Sequence, residues 1–223
     1  MRVRIIVVVC IVLVALPFAW VKWQDNVAGS RAKEVAGTII DKQPVHVMNR
    51  TFDPANPPTE MPPMVPGEAA VCDSNFVANA HVSGNIHPVD ATHASVTVTQ
   101  VKVTLQLNIT IWTPAEVSPR VMEHENGHRQ ISEHYYETAD KVAERIAATY
   151  LGRQIEVSGS DLDNETGKQL QQMAAEITAE YGKELNPDPA QELYDTITDH
   201  SRNNVSVPDA VTHAINNAAV EAN

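Results

Sequence analysis

The 223-residue chain predicts an α+β fold: a small, mainly antiparallel sheet followed by three or four helices. Two observations carry this. Val101, Val103, Leu105, Leu107, Ile109 and Ile111 alternate strictly with Lys102, Thr104, Gln106, Asn108 and Thr110, the period-2 pattern of a strand with one buried face. From Ser118 onward apolar residues recur instead at spacings of three and four, the helical period. Strands gathered before helices, rather than alternating with them, argue for α+β.

In chain order, Met1-Arg2-Val3-Arg4 is short and basic, and residues 5–21 then carry no charge. As a helix that run spans roughly 25 Å, at the lower limit for crossing a bilayer. Trp20, Lys22 and Trp23 close it as interfacial anchors do. The expected organisation is a signal-anchor or signal peptide over 1–23, a polar stalk over 24–34 and one domain over 35–223. The domain is expected outside the cytoplasm, in the periplasm or cell envelope. It would be anchored in the membrane by residues 5–21 or secreted after cleavage.

Val35 to Met48 has β-type content around Pro44. Pro54 to Pro66 holds six prolines and reads as an extended loop. Cys72 to His93 reads as irregular, with Gly84 and Pro88 as breakers and His81, His87 and His93 as scattered surface histidines. Val96 and Val98 have the opposite parity to Val101–Ile111, so a bulge or turn is expected at Thr99-Gln100.

Formal charge is −12, and residues 161–223 hold twelve Asp/Glu against three Lys/Arg. Such a chain has no footprint for nucleic acid, whose phosphates it would repel. Of the two cysteines, Cys10 lies in the apolar run, which leaves Cys72 without an intrachain partner. No C-x-x-C pair exists to make a thiolate site, so carboxylates and the nine histidines are the available metal ligands.

Ser118-Pro119 starts a helix well, with serine as N-cap and proline at the first helical position. It is expected to run to about Leu151, with His124, His128, Ile131, Tyr135, Thr138, Val142 and Ile146 on one inward face. Within it stands His124-Glu125-Asn126-Gly127-His128, an H-E-x-x-H. Two histidines four apart lie about 40° apart around the axis, so both rings leave one face a turn apart, suited to one Zn²⁺. Glu125 stands to the side of that face, where a zinc-activated water needs a base. Gly127 costs about 1 kcal/mol of helix stability, a loss explained by close approach of another backbone or of substrate.

His134 matches the metzincin spacing for a third ligand, but Ile131 stands where that pattern needs glycine. On a continuous helix His134 points to another face. The third ligand is therefore expected from a later helix. One opens at Gly159-Ser160 with Leu170, Met173, Ala174, Ile177 and Tyr181 buried. A second opens at Asp188-Pro189, and a third follows Ser206-x-Pro208. His200 is the best placed of the remaining histidines, and His213 reads as a surface residue.

His124-Glu125-x-Gly127-His128 with Ile131, followed by Tyr194-Asp195-x-x-Thr198-x-His200, resembles a bacterial family of predicted secreted zinc-dependent proteases catalogued as a domain of unknown function. Its motifs read H-E-x-G-H-x-x-I and Y-D-x-x-T-x-H, and the resemblance spans roughly residues 35–205. Where that family usually has glycine after the histidine, this chain has Ser201, and Cys72 lacks the family's paired cysteine. The resemblance implies a zincin-like peptidase acting on peptide or protein substrates. His124, His128 and His200 would be its zinc ligands and Glu125 its general base. Asp195 is implied as a ligand, as a partner holding a histidine tautomer, or as an ordinary helix residue. Tyr194 is implied as an oxyanion stabiliser or a packed tyrosine. Two other classes stay open from the sequence: a non-catalytic, envelope-anchored zinc-binding or scaffold protein, and a cell-wall amidase.

Overall fold

The computed structural model describes residues 37–221, and it is α+β with five strands and five helices among the described residues. The sheet is built on β4 (His93–Pro114), whose apolar alternation makes one face the core side. A strand has two edges. One edge of β4 is filled along nearly its whole length by the antiparallel β3 (Val71–Pro88). The other is shared end to end by β5 (Gln154–Ser158, antiparallel), β1 (Gly37–Lys42, parallel) and β2 (His46–Phe52, parallel). β1 and β2 follow β4 in nearly one register, Gly37 opposite Gln100 and His46 opposite Asn108. They are in effect one extended strand interrupted at Pro44, which has no N–H to give the ladder.

The sheet is therefore mixed, not mainly antiparallel as expected. The parallel pairs arise because the chain leaves β2, passes through the proline-rich loop around the end of β4, and returns along β4's opposite edge as β3. Phe52, Met61, Val71 and Trp112 pack together where that loop turns. β3 is also the largest departure in secondary structure: the stretch expected to be irregular is an 18-residue strand. Asn75, Asn79, Ser83 and Asn85 give it poor strand propensity, and pairing with β4 overrides that. The expected break in β4 falls at Thr99, which is skipped as Ser83 pairs with Gln100 and Gly84 with Val98. The parity change there keeps Val96, Val98 and Val101 all buried.

The helices are α1 (Pro119–Glu137), α2 (Ala139–Ala148), α3 (Leu162–Glu184), α4 (Asp188–Thr198) and α5 (Val207–Glu221). Three or four were expected. The extra one arises because the long helix from Ser118 breaks at Thr138, whose φ of −100° and ψ of 3° are not helical. The break changes which face is inward: His124, His128 and Ile131 are buried as expected, but Tyr136, Ala139 and Ala143 take over from Tyr135, Thr138 and Val142.

The main core lies between one sheet face and α1–α3, with Leu105, Leu107, Ile109, Phe76, Ile146, Ile177 and Tyr181 essentially fully buried. Each such side chain contributes about 1.5–3 kcal/mol of transfer free energy. A second cluster joins α1, α4 and α5 through Ile131, Leu193, Tyr194 and Ala214. It fixes α4 against α1.

No helix among the described residues is long and apolar enough to cross a membrane. The anchor expected of residues 5–21 lies outside the described residues, and none of the described helices supplies the membrane partnership expected of the chain.

Candidate metal centre

α1 starts as its sequence dictates: Ser118 Oγ accepts a hydrogen bond from Val121 N–H at 3.3 Å, and Pro119 needs no donor of its own. Five residues later the helix enters the protein, and His124, Glu125, Gly127, His128 and Ile131 are all buried. Facing them, α4 buries Gln191, Tyr194, Asp195 and Thr198, spaced i, i+3, i+4 and i+7 and hence on one stripe. The helices meet at Gly127, where a Cβ would overlap the Tyr194 hydroxyl. The glycine admits a side chain of α4, not the backbone or substrate expected of it.

Three ligand atoms converge between the helices. His124 Nε2 and His128 Nε2 are 3.1 Å apart. Asp195 Oδ1 lies 3.3 Å from His124 Nε2 and 2.9 Å from His128 Nε2. Ligands bound tetrahedrally at about 2.0–2.1 Å from one Zn²⁺ are about 3.3 Å from one another, so these separations are the edges of such a site. His200 Nδ1 is 3.5 Å from Asp195 Oδ1. His124, Asp195 and His200 together form a group that could hold a metal ion. His124 Nδ1 is buried and has no hydrogen-bond partner among the described residues, and His200 Nδ1 is in hydrogen-bond geometry with none. Two imidazole nitrogens and a carboxylate oxygen gathered within 3.3 Å of one another make a donor set that fits a cation.

His200 is brought there by an unusual turn. Asp199, His200 and Ser201 all have positive φ, 45°, 49° and 74°. The left-handed region costs an L-residue roughly 1–2 kcal/mol. Arg120 at the start of α1 holds the turn by donating to the carbonyls of Arg202 and Asn203. Asn203 donates from its side chain to Ile197 O at 3.0 Å and from its backbone to Thr198 O at 2.9 Å. The strain is thus held by neighbours of the site, as at functional turns generally.

Burial dominates the electrostatics. It lowers the pKa of His124 and pushes Glu125 up to about 7, with Glu68 and Asp195 adding to the rise in Glu125 and the nearby His128 and a hydrogen bond from the Cys72 backbone opposing it. For His128 burial acts downward, but the Asp195 carboxylate outweighs it and the net shift is upward. For Asp195 burial acts upward, and hydrogen bonds from His124 and His128 outweigh it, holding the carboxyl well below the usual range. A carboxylate that stays ionised between imidazoles is the charge state a divalent cation needs.

Of the residues singled out from the sequence, His124, His128, Asp195 and His200 come together, with Glu125 buried beside them. Tyr194 is a packed residue: its ring stacks on His124 at 5.1 Å and its hydroxyl donates to His124 O at 3.2 Å, so that proton is already used. His134 is apart from the cluster, 51% exposed and 3.9 Å from Glu137.

Two residues escaped the sequence. Gln191 donates its amide to the core of α1 and accepts from His128 Nδ1 at 2.6 Å. It lies three residues before Tyr194, a spacing that could have marked it as sharing the Tyr194-Asp195 stripe. Glu68 lies in the turn Val65-Pro66-Gly67-Glu68, with proline at the second position and Gly67 at φ 97°. Its Oε2 accepts from Val65 N–H at 2.8 Å and its Oε1 is 3.2 Å from His200 Nδ1. No spacing links Glu68 to the later motifs; only the wrap of the proline-rich loop brings it there.

Clefts open on two sides. One of about 310 Å³ is lined by Pro119, Glu123, His124, Thr198 and Ser201 among others. One of about 490 Å³ runs along the proline-rich loop past Met64, Val65, Glu68 and Cys72. The strand preceding the H-E-x-x-H helix, β4, is interior and has no free edge for an extended peptide; the strand edge beside the site belongs to β3. No protein-family model, curated protein or solved structure matches this chain.

Proposed function

We propose that the chain is a zinc-dependent peptidase with a zincin-like arrangement, in which His124, His128 and Asp195 hold the metal, the fourth position stays open to water with His200 beside it, and Glu125 is the general base. The supporting observation is the convergence of two imidazole nitrogens and a carboxylate oxygen at tetrahedral edge distances, 2.9–3.3 Å, with Glu125 buried alongside. Three nitrogen or oxygen donors and no thiolate fit zinc used for hydrolysis. When bound there, Zn²⁺ would supply a Lewis acid that polarises a scissile carbonyl and acidifies water. Glu125 would take the proton from the attacking water and return it to the leaving amine. Its burial helps, because a carboxylate out of bulk water holds a proton more readily than an exposed one. The clefts bordering His124 and Cys72 give a peptide access from two sides.

A second reading rests on His200. If its Nδ1, 3.5 Å from Asp195 Oδ1, completes four protein ligands, the site is closed and structural, and the chain is a zinc-stabilised binding protein. Glu125→Gln separates the two. Purified wild type and variant are compared for zinc content and for cleavage of a fluorescently labelled casein. A peptidase keeps its zinc in both and loses roughly 10²–10⁴-fold in cleavage rate in the variant. Full cleavage by Glu125→Gln would remove the base assignment. No cleavage by zinc-loaded wild type would favour the closed site.

A further inference from the structure

Gln191 is fully buried and all of its amide is engaged. Its Nε2 donates to His128 O at 3.1 Å and to Ser132 Oγ at 2.9 Å, and its Oε1 faces His128 Nδ1 at 2.6 Å. A peptide carbonyl only accepts, so the amide group facing His128 O must be the NH₂. The flipped amide would set two acceptors against each other. The oxygen therefore faces Nδ1, and an amide oxygen can only accept. Nδ1 must carry the proton. Nε2, the ring nitrogen left for a metal, faces Asp195 Oδ1 and His124 Nε2, 2.9 and 3.1 Å away.

Ser132 completes the set. Its Oγ lies 2.8 Å from Ser74 Oγ on β3 and 3.1 Å from His128 O, and both serines are fully buried. The network thus runs from the sheet through α1 to α4 and ends on one ring nitrogen. His124 has nothing comparable. Its Nδ1 has no hydrogen-bond partner among the described residues, and its ring is held by stacking on Tyr194.

We infer that Gln191 is a positioning residue for metal binding: it fixes His128 as the Nδ1–H tautomer and its ring orientation, making His128 the pre-set ligand of the pair. This rests on the metal-centre reading but not on peptidase activity. A carboxamide behind a histidine adds no charge to the site, unlike the carboxylate often found there, so the ion keeps more of its positive charge.

The test uses the full chain labelled with ¹⁵N-histidine, with and without Zn²⁺, and three proteins: wild type, Gln191→Leu and Gln191→Glu. In the wild type the His128 Nδ1 proton should be present and slow to exchange with solvent, with or without metal. In Gln191→Leu that proton should become fast-exchanging, and zinc affinity, measured by chelator competition on protein that circular dichroism shows to be folded, should fall about 10–100-fold. Gln191→Glu keeps an acceptor at Nδ1 but sets its second oxygen against His128 O, so it should lose stability while the zinc affinity of the folded protein stays near the wild-type level. A merely structural Gln191 would lower the melting temperature of both variants alike and leave the zinc affinity of folded protein unchanged, which would overturn the inference. So would a wild-type His128 whose proton sits on Nε2. The pattern expected here, found in a chain that cleaves no peptide, would overturn the peptidase reading and leave the role of Gln191 standing.

Discussion

Asp195 Oδ1 lies 2.9 Å from His128 Nε2, across the gap between α4 and α1. The carboxylate enters the histidine pair one residue after Tyr194 has fixed the distance between the helices. If it is a metal ligand, Asp195→Ala should weaken zinc binding by more than the roughly 10–100-fold typical of losing a group behind a ligand. Chelator competition measures this. His134→Ala is the control: its side chain is exposed and away from the cluster, so zinc affinity should not change.

Gly127→Ala should destabilise the protein although alanine favours helix. The helical gain is about 1 kcal/mol. The added Cβ overlaps the Tyr194 hydroxyl and ring, and overpacking of this kind costs typically 1–3 kcal/mol. Denaturant unfolding of Gly127→Ala, Tyr194→Ala and the double variant should give a coupling energy of about 0.5–3 kcal/mol, with the alanine tolerated once Tyr194 is gone. Additive effects would mean that the two helices do not meet there.

Ser201→Gly should stabilise the fold. Ser201 has φ 74°, where a side chain is strained and glycine is not. Against glycine's greater freedom in the unfolded chain, a net gain of about 0.5–1 kcal/mol is expected from chemical denaturation. Ser201→Val, β-branched, should lose stability at the same position.

All five tyrosines should resist ionisation in the folded chain. Burial pushes Tyr136 up to about 12 and raises Tyr135, Tyr150, Tyr181 and Tyr194 as well. A folded-state pKa above the unfolded value of about 10 gives stability that is complete below pH 10 and lost as the pH rises beyond it, since the unfolded chain gives up its protons first. Tyrosinate absorbance should therefore appear together with loss of the circular dichroism signal. Stepwise ionisation near pH 10 in a chain that stays folded would contradict the burial.

Local signals proved legible where the chain's own periodicity was strong. Val101 to Ile111 alternate as a core strand should, the parity change at Thr99 marks the bulge, and Ser118-Pro119 begins α1. The H-E-x-x-H face was legible for the same reason, since a spacing of four on a helix is a geometric statement. What the sequence hid depends on contacts between distant segments. β3 is a strand because β4 lies beside it, and β1 and β2 are parallel because the proline-rich loop rounds the end of the sheet. Thr138 gave no sign of breaking the helix. Asp195 stood open among three roles because sequence does not say how α4 lies on α1. Glu68 was invisible altogether.

Crystals of the full chain grown with Zn²⁺, measured on both sides of the zinc absorption edge, would locate the ion without reference to activity. One anomalous peak is expected between α1 and α4, about 2.0–2.2 Å from His124 Nε2, His128 Nε2 and Asp195 Oδ1. A peak elsewhere, or none between these helices at saturating zinc, would contradict the metal centre and the function built on it.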